Sequence, residues 1–229
     1  MGESPAEQFS EVSTSSSTVA DWVRALAAAN GNPGGGAASG LMLSIAAGLT
    51  AMVAGYTDDR TGPSHSGDEP ATTSEAVRER AGERARMALR VTDEDAQASR
   101  AFGQAFHLAA GPERDAAIRT ASVQAATASA ELGRHAIDAI DDLAWLAGHG
   151  NPALIADVAV AIGALRAALT GARTNVSFDL GSIRSAHESL DEIHGEQSEL
   201  WRLVPVFEDA LARLDRLAAD IDHRAAPTR

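Results

Sequence analysis

The chain has 229 residues, a hydrophobic fraction of 45% and a formal net charge of -13 at pH 7. This length and apolar content are enough to bury a core in one large domain or two small ones. The negative charge excludes a general nucleic-acid binder, because such proteins need a basic surface that neutralises phosphates. All 19 basic residues are arginine and no cysteine is present, which excludes lysine Schiff bases, Walker-type lysine loops, disulfides and thiolate chemistry. The exclusion of disulfides fits a cytoplasmic protein, and we expect that location.

The N-terminal part predicts a flexible segment followed by a single helical domain. Residues 1–16 are acidic and serine-rich, and they lack the basic and apolar regions of a signal peptide. Ser17 or Thr18 is expected to cap a first helix that ends near Ala29. We therefore predict a flexible segment over residues 1–16 and one helical domain over residues 17–229.

An uncharged stretch follows the first helix. No charged residue lies between Arg24 and Asp58, and residues 37–56 are long and apolar enough to invite a membrane-helix interpretation. The stretch is mostly Ala, Gly, Ser and Thr and lacks the basic and aromatic anchors of a membrane interface. We therefore predict a central helix that is packed on all sides, with no membrane partner. Small residues recur along one of its faces, at Gly36, Gly40, Ser44 and Gly48.

The rest of the chain also carries helix signals. Long helices are expected over residues 74–110 and 112–147, and a third begins at residue 151. Apolar residues at alternating spacings of three and four predict the seam of a last helix over residues 190–221, which Pro205 should kink. No segment shows the alternation of a strand. The fold is therefore predicted to be all-α, a bundle of about six long helices.

The stretch NPGGGAASG at residues 32–40 places three glycines directly before the uncharged helix. Unscreened N–H groups at a helix start suit an anion or a developing negative charge. The stretch has neither the lysine of a Walker loop nor the preceding strand of a Rossmann motif. From the residues alone two interpretations stay open, a binding site and a tight turn that permits close helix packing.

Three blocks occur in order on this chain: NPGGGAASGLMLSIAAGLTAMVAGYT, LRVTDEDAQASRAF and GNPALIADVAVAIGALRAALTGARTNVSFDL. Together, over residues 19–180, they resemble the cyclodeaminase/cyclohydrolase family, with its PGGG loop, its DxDA segment and its GN(P)xxxxD helix start followed by an NVxxNL-like segment. The resemblance implies a homodimeric helical bundle that acts on tetrahydrofolate carrying a one-carbon unit between N5 and N10. The implied activity is that of a methenyltetrahydrofolate cyclohydrolase or a formiminotetrahydrofolate cyclodeaminase. No cofactor beyond the tetrahydrofolate substrate and no metal is expected.

The resemblance also implies the site residues. Both reactions pass through a tetrahedral carbon between two nitrogens, so they need a carboxylate that moves protons. Asp95 and Asp157 match the family's acids and are the catalytic candidates. The substrate-binding candidates are Gly34, Gly35, Gly36, Ser39, Asn151, Asn175 and Arg60. Arg60, in a polar loop after the uncharged helix, is a candidate for binding the glutamate tail of the folate.

Two alternatives stand beside these assignments. Asp93, Glu94 and Asp95 have the pattern of an acidic turn on an exposed helix. The family commonly has serine where this chain has Ala37 and Ala156, and it often has lysines where this chain has none. These departures favour a second hypothesis, a catalytically degenerate family member that serves as a helical binding or assembly protein.

Overall fold

The structure is a computed structural model, and it describes residues 12–28, 33–58, 72–185 and 195–228. Within these ranges the chain forms six α-helices and no strand, which confirms the all-α prediction. The helices are α1 (Val19–Ala27), α2 (Gly35–Gly55), α3 (Ser74–Ala105), α4 (Pro112–His149), α5 (Ile155–Ser185) and α6 (Ser198–Ala225), with a 3₁₀ turn at Pro152–Leu154 before α5.

Side-chain caps start three of these elements. The hydroxyl of Thr18 accepts the N–H of Asp21 at the start of α1, and Thr73 caps α3 in the same way. The side chain of Asn151 accepts the N–H of Ala153 at the start of the 3₁₀ turn. Such caps satisfy N–H groups that have no partner in a first helical turn. The caps predicted at Thr18 and Asn151 are confirmed.

The turn between α3 and α4 comes earlier than predicted. α3 ends at Ala105 and not near residue 110, while α4 begins at Pro112 as expected. Gly111 between them has a φ of 152°, a conformation that L side chains rarely adopt. The glycine therefore permits the reversal, and the proline at the first position of α4 removes an N–H that would have no helical partner.

The core lies where α2, α4, α5 and α6 meet. α5 packs against α2, α4 and α6, and α2 also packs against α3. α6 contributes a buried residue every seventh position, Leu200, Phe207, Leu214 and Ile221. This spacing confirms the predicted seam over the described part of the helix. α6 is helical on both sides of Pro205, and residues 190–194 of the predicted seam lie outside the described residues.

An ion cluster connects α3 to α4. One carboxylate oxygen of Asp142 accepts from Arg80 at 2.6 Å and the other from Arg84 at 3.0 Å. The side chains of Asp142 and Arg84 are only 4% and 7% exposed. Removing one partner of such a buried pair leaves an uncompensated charge, so the cluster fixes the register of the two helices.

The segment before α1 also docks on α3. The backbone N–H of Thr14 donates to the Asp93 carboxylate at 3.0 Å, and its hydroxyl donates to the carbonyl of Leu89 at 2.8 Å. The predicted boundary at residue 16 thus falls within a turn that already contacts the bundle. Residues 1–11 of the predicted flexible segment lie outside the described residues.

The prediction that the uncharged helix is packed on all sides is wrong. Met42, Ile45 and Met52 of α2 are 37%, 44% and 37% exposed. A Cβ at Gly48 would meet no atom within 4 Å, whereas one at Gly40 would collide with the hydroxyl of Thr92. The small residues therefore serve close packing in the first turns of α2. The reason is that its three neighbours, α3, α4 and α5, leave one side of α2 open.

Among the residues that the structure describes, two helical segments reach the length and apolar character needed to cross a membrane. They are Gly35–Gly55, with 50% of the stretch buried, and Pro152–Ile183, with 33% buried. Core helices of water-soluble proteins meet the same criterion, so this property does not define a membrane protein. The exposed apolar faces of both helices still need an explanation.

Candidate active site at the start of α2

The three glycines form the entrance of α2. Gly34 is the N-cap residue, it offers no side-chain cap, and the first turn of α2 contains no acidic residue. The missing cap comes from another helix, because the N–H of Ala37 donates a hydrogen bond to the carboxylate of Asp95 on α3. A carboxylate is favoured at this position by the positive end of the helix dipole.

Gly36 is what allows the acid to come so close. A Cβ at residue 36 would collide with both carboxylate oxygens of Asp95, whereas one at Gly35 would meet nothing within 4 Å. Close packing, one of the two interpretations of the glycines, is therefore confirmed at Gly36, and the binding-site interpretation stays a prediction. The turn permits close packing, and the group packed against it is an acid.

Asp95 is buried, with 5% of its surface exposed. Burial raises the pKa of Asp95 to about 6, while the hydrogen bond from Ala37 acts in the opposite direction. Its Oδ2 atom is buried and has no hydrogen-bond partner among the described residues. A buried carboxylate oxygen without a partner costs free energy. The hydrogen bond that caps α2 therefore leaves the Oδ2 atom of Asp95 unused, and this oxygen is available to a proton or a ligand.

A second acid, Asp179 of α5, was not predicted from the sequence. It is 8% exposed, and burial together with the negative charge of Asp95 raises the pKa of Asp179 to about 7. It stands in the segment NVSFDL, at the position where the family pattern NVxxNL has asparagine. The sequence did contain a signal for Asp179, because it is an acid one helical turn after Asn175 and next to Leu180.

The face of α5 that carries Asp179 runs past the start of α2. A Cβ at Gly171 would collide with Ser39, and Asn175 and Asp179 follow at intervals of four residues, hence on the same face. Ser39 is buried, and its hydroxyl donates to the carbonyl of Gly35 at 2.8 Å. The structure thus brings the glycine entrance, Ser39 and Asp95 together beside the α5 face of Asn175 and Asp179.

Asn151 and Asp157 lie at the other end of α2. The backbone N–H of Asn151 donates to the hydroxyl of Thr57 at 3.3 Å, and its side chain donates to the carbonyl of Tyr56 at 3.3 Å. A helix of 21 residues such as α2 is about 30 Å long. Asp157, in the first turn of α5, is therefore not brought to Asp95 within one chain. The cause is the antiparallel packing of α2 and α5, which residue spacing alone does not reveal.

The remaining predictions from the sequence concern Arg60 and the acidic run at residues 93–95. Arg60 lies outside the described residues. The exposed-turn alternative for the acidic run is wrong for Asp95, although Glu94 is exposed and paired with Arg90 at 3.7 Å. Asp93 binds Thr14 instead. The run therefore places its three acids in three different environments.

Two grooves of about 510 and 460 Å³ lie between α3 and α4, and neither is lined by Asp95 or Asp179. Within the described ranges, no three His, Asp or Glu side chains converge as metal ligands. The candidate site is therefore defined by buried acids at a helix entrance and not by the volume of a groove.

These features define a helical protein with buried carboxyl groups beside a glycine-rich helix start. A family model described as formiminotransferase-cyclodeaminase matches residues 18–198, and the chain belongs to that family. The structure is similar to the crystal structure of formiminotetrahydrofolate cyclodeaminase from Thermotoga maritima, with a TM-score of 0.70 and 22% identity. The match covers 90% of this chain and 98% of that chain, so the fold is shared over nearly the whole length. No curated protein sequence matches the chain.

Proposed function

We propose that this protein is a folate enzyme that acts on the one-carbon bridge between N5 and N10 of tetrahydrofolate. Membership of the formiminotransferase-cyclodeaminase family supports this assignment. The observation that carries it is the Asp95 carboxyl, buried against Gly36 with one oxygen unpartnered. Gly34, Gly35, Gly36, Ser39 and Asn175 then form the substrate-binding surface around that acid.

Both candidate reactions suit a buried carboxylate. The reacting carbon lies between two nitrogens and shares a positive charge with them, and a carboxylate in a low-dielectric site stabilises that charge. In the cyclohydrolase reaction, water adds to this carbon and gives a proton to the carboxylate. In the cyclodeaminase reaction, N10 adds and loses its proton, which leaves on the departing ammonia. In each case a carboxylate at the site accepts a proton during the addition, and a proton is then delivered to the nitrogen that leaves the carbon.

The environment of Asp95 fits this task. A general acid–base group works best when its pKa lies near the working pH, and burial raises the pKa of Asp95 to about 6. An ordinary exposed aspartate would be too weak a base. The chain has no lysine, and the carboxyl group of Asp95 is the proton carrier that we assign to this site.

Assembly as a homodimer is part of the proposal, with the exposed faces of α2 and α5 as the interface. Met42, Ile45 and Met52 of α2 lie on a helix without any charged residue. On the neighbouring α5, Val160 and Phe178 are 60% and 65% exposed. A second copy is the favoured occupant, because two chains of net charge -13 can approach through an uncharged surface without repulsion at the contact.

A dimer also gives the only arrangement in which Asp157 reaches the entrance of α2, because within one chain it lies about a helix length away. Mixing subunits tests this. Asp95→Asn and Asp157→Asn subunits are each expected to be nearly inactive alone. Their mixed dimer has one site with both acids, and up to about half of the activity per mixed dimer should return. If mixing restores nothing while mixed dimers are present, Asp157 does not act across the interface.

The enzymatic proposal is tested by adding methenyltetrahydrofolate to the protein and following the loss of its ultraviolet chromophore. Formiminotetrahydrofolate with a measurement of released ammonia tests the second reaction. Asp95→Asn should lower the rate of the reaction that the wild type catalyses by roughly 10²–10⁴-fold. Asp138→Asn, at an exposed site on α4, should leave that rate unchanged. Wild-type rates equal to the uncatalysed rates in both assays would overturn the proposal and favour the helical binding or assembly protein.

A further inference from the structure

Two of the three buried carboxyls of the described bundle, those of Asp95 and Asp179, belong to α3 and α5, which both pack against α2. Asp95 projects from α3 against Gly36, and Asp179 projects from α5 on the face that also carries Asn175. Each is at least nine-tenths buried. The Oδ2 atom of Asp95 is also unpartnered, so the hydrogen-bonding capacity at this point is not used up by the fold.

No cation from the described residues neutralises the pair. α2 contributes only the N–H of Ala37, since the helix has no charged side chain. On α3, Asp93 is held by Thr14 and Glu94 pairs with Arg90. On α4, Glu131 and His135 lie 4.0 Å apart at half-exposed positions. Of the arginines of α5 whose side chains the structure describes, Arg166 is bound to Asp215 and Arg173 to Glu208, both of α6 and at exposed sites.

Ionising both of two buried acids that have no cation beside them costs free energy. Like charges in one low-dielectric site repel, and the usual result is that the pair retains one proton. Burial and the charge of Asp95 raise the pKa of Asp179 to about 7, above that of Asp95. The N–H of Ala37 stabilises the charged form of Asp95, so we assign the negative charge to Asp95 and the shared proton to Asp179.

We propose that Asp95 and Asp179 form a proton-sharing pair at the entrance of α2, in which Asp179 is the proton donor and Asp95 the proton acceptor. The pair itself follows from the packing of the bundle, whereas the donor role rests on the proposed function. An asparagine at residue 179, as in the family pattern, has no proton to give in this way. The acid thus supplies a titrating group at a site to which this chain can bring no lysine.

For the cyclohydrolase reaction the steps balance as follows. The oxygen of water bonds to the methenyl carbon, and Asp95 accepts the proton that the water loses. Asp179 then gives its proton to N5 as the carbon–N5 bond breaks, and the new hydroxyl group returns a proton to Asp179 as the carbonyl forms. The product is the formyl folate, and Asp95 releases one proton to solvent.

The pair predicts a specific dependence of stability on pH. A carboxyl whose pKa is raised by folding favours the folded state at low pH, and this contribution is lost as pH rises from about 4 to about 7. Asp179→Asn removes the penalty above that range. The melting temperature of the variant minus that of the wild type should therefore increase by roughly 3 °C or more between about pH 5 and about pH 8. Asp138→Asn, at an exposed site, should show no such increase.

Carbon-13 NMR of the aspartate side-chain carboxyls tests the pair directly in the wild-type protein. Two carboxyls should titrate well above the usual range, and the signal lost in Asp179→Asn identifies the higher one. Asp95→Asn should lower the titration midpoint of Asp179, because the charge that raises it is gone. There is no proton-sharing pair if Asp95 and Asp179 both titrate near the ordinary value. The same conclusion follows if the melting temperature of Asp179→Asn minus that of the wild type is equal at both pH values.

The donor role has its own measurement. The wild-type rate should fall as pH rises through about 7, where the donor loses its proton. Asp179→Asn should be slower by roughly 10²-fold and should lose this alkaline decline. A variant that keeps the decline excludes Asp179 as the donor. An inactive wild type overturns the proposed function but leaves the melting and NMR results to decide whether the pair exists.

Discussion

Gly36 of α2 and Asp95 of α3 are packed so closely that a single added carbon on the glycine would overlap both carboxylate oxygens of the acid. Because of this contact, the size of residue 36 determines where the Asp95 carboxyl can lie. It can be tested with a matched pair of substitutions in adjacent positions of the same helix turn.

Gly36→Ala should displace the Asp95 carboxyl and lower activity by at least about tenfold, because a misplaced acid loses its geometry for proton transfer. The crowding should also cost roughly 1–3 kcal/mol of stability. Gly35→Ala is the control for stability, since a Cβ there meets nothing within 4 Å, while the exposed Asp138→Asn is the control for activity. Urea unfolding curves compare the two glycine variants, and an equal loss of stability would contradict the close contact.

The Asp142 cluster predicts unequal effects for two arginines. Arg84→Met should destabilise the protein by about 3 kcal/mol, because it leaves the buried carboxylate with one partner fewer in a low-dielectric site. Arg80→Met should cost about 1 kcal/mol or less, since the Arg80 side chain is 46% exposed and its ion pair is screened by water. Chemical denaturation at neutral pH compares the two. A larger loss at Arg80 would mean that burial does not govern this cluster.

Gly133 of α4 faces the ring of Phe207, and a Cβ there would collide with three of its carbons. Gly133→Ala should destabilise the α4–α6 contact by roughly 1–3 kcal/mol, because a buried aromatic ring has no free direction in which to move. Gly148→Ala, on the same helix with nothing within 4 Å, should be neutral or stabilising by up to about 1 kcal/mol. Thermal unfolding of both variants checks this difference.

The proposed dimer interface predicts that Ile45→Glu and Phe178→Glu convert the dimer to a monomer, because a buried unpaired carboxylate is costly. Val206→Glu on α6 is the matched control, since Val206 is 45% exposed and Ile45 is 44% exposed. Light scattering coupled to size-exclusion chromatography measures the mass. A monomeric wild type would contradict the dimer, and binding of the wild type to neutral lipid vesicles would assign the face to a membrane instead.

Features with a local cause were predictable from the sequence. The cap at Thr18, the proline at the start of α4 and the seven-residue spacing of α6 follow from neighbouring residues. The burial of Asp95 was predictable only through the resemblance, because an acid within an acidic run has no local signal that it faces inward. Such a signal requires knowledge of the helix that lies opposite.

Features that depend on the mutual orientation of helices were not predictable. The pairing of Asp179 with Asp95 requires α5 to cross the start of α2, and the distance of Asp157 from that start has the same cause. The exposed side of α2 has the same origin, because a helix of small apolar residues has the same pattern whether three or four neighbours surround it. Periodicity identifies helices but not the order in which they pack.

The acid at the entrance of α2 is held by the main chain of one helix and carried by another, with no flexible loop in between. Its position is therefore settled when the bundle folds, and a ligand meets an electrostatic environment that needs little reorganisation. Such rigidity favours a planar, inflexible ligand over one that requires the protein to rearrange around it. The geometry of the site therefore persists for as long as the bundle stays folded.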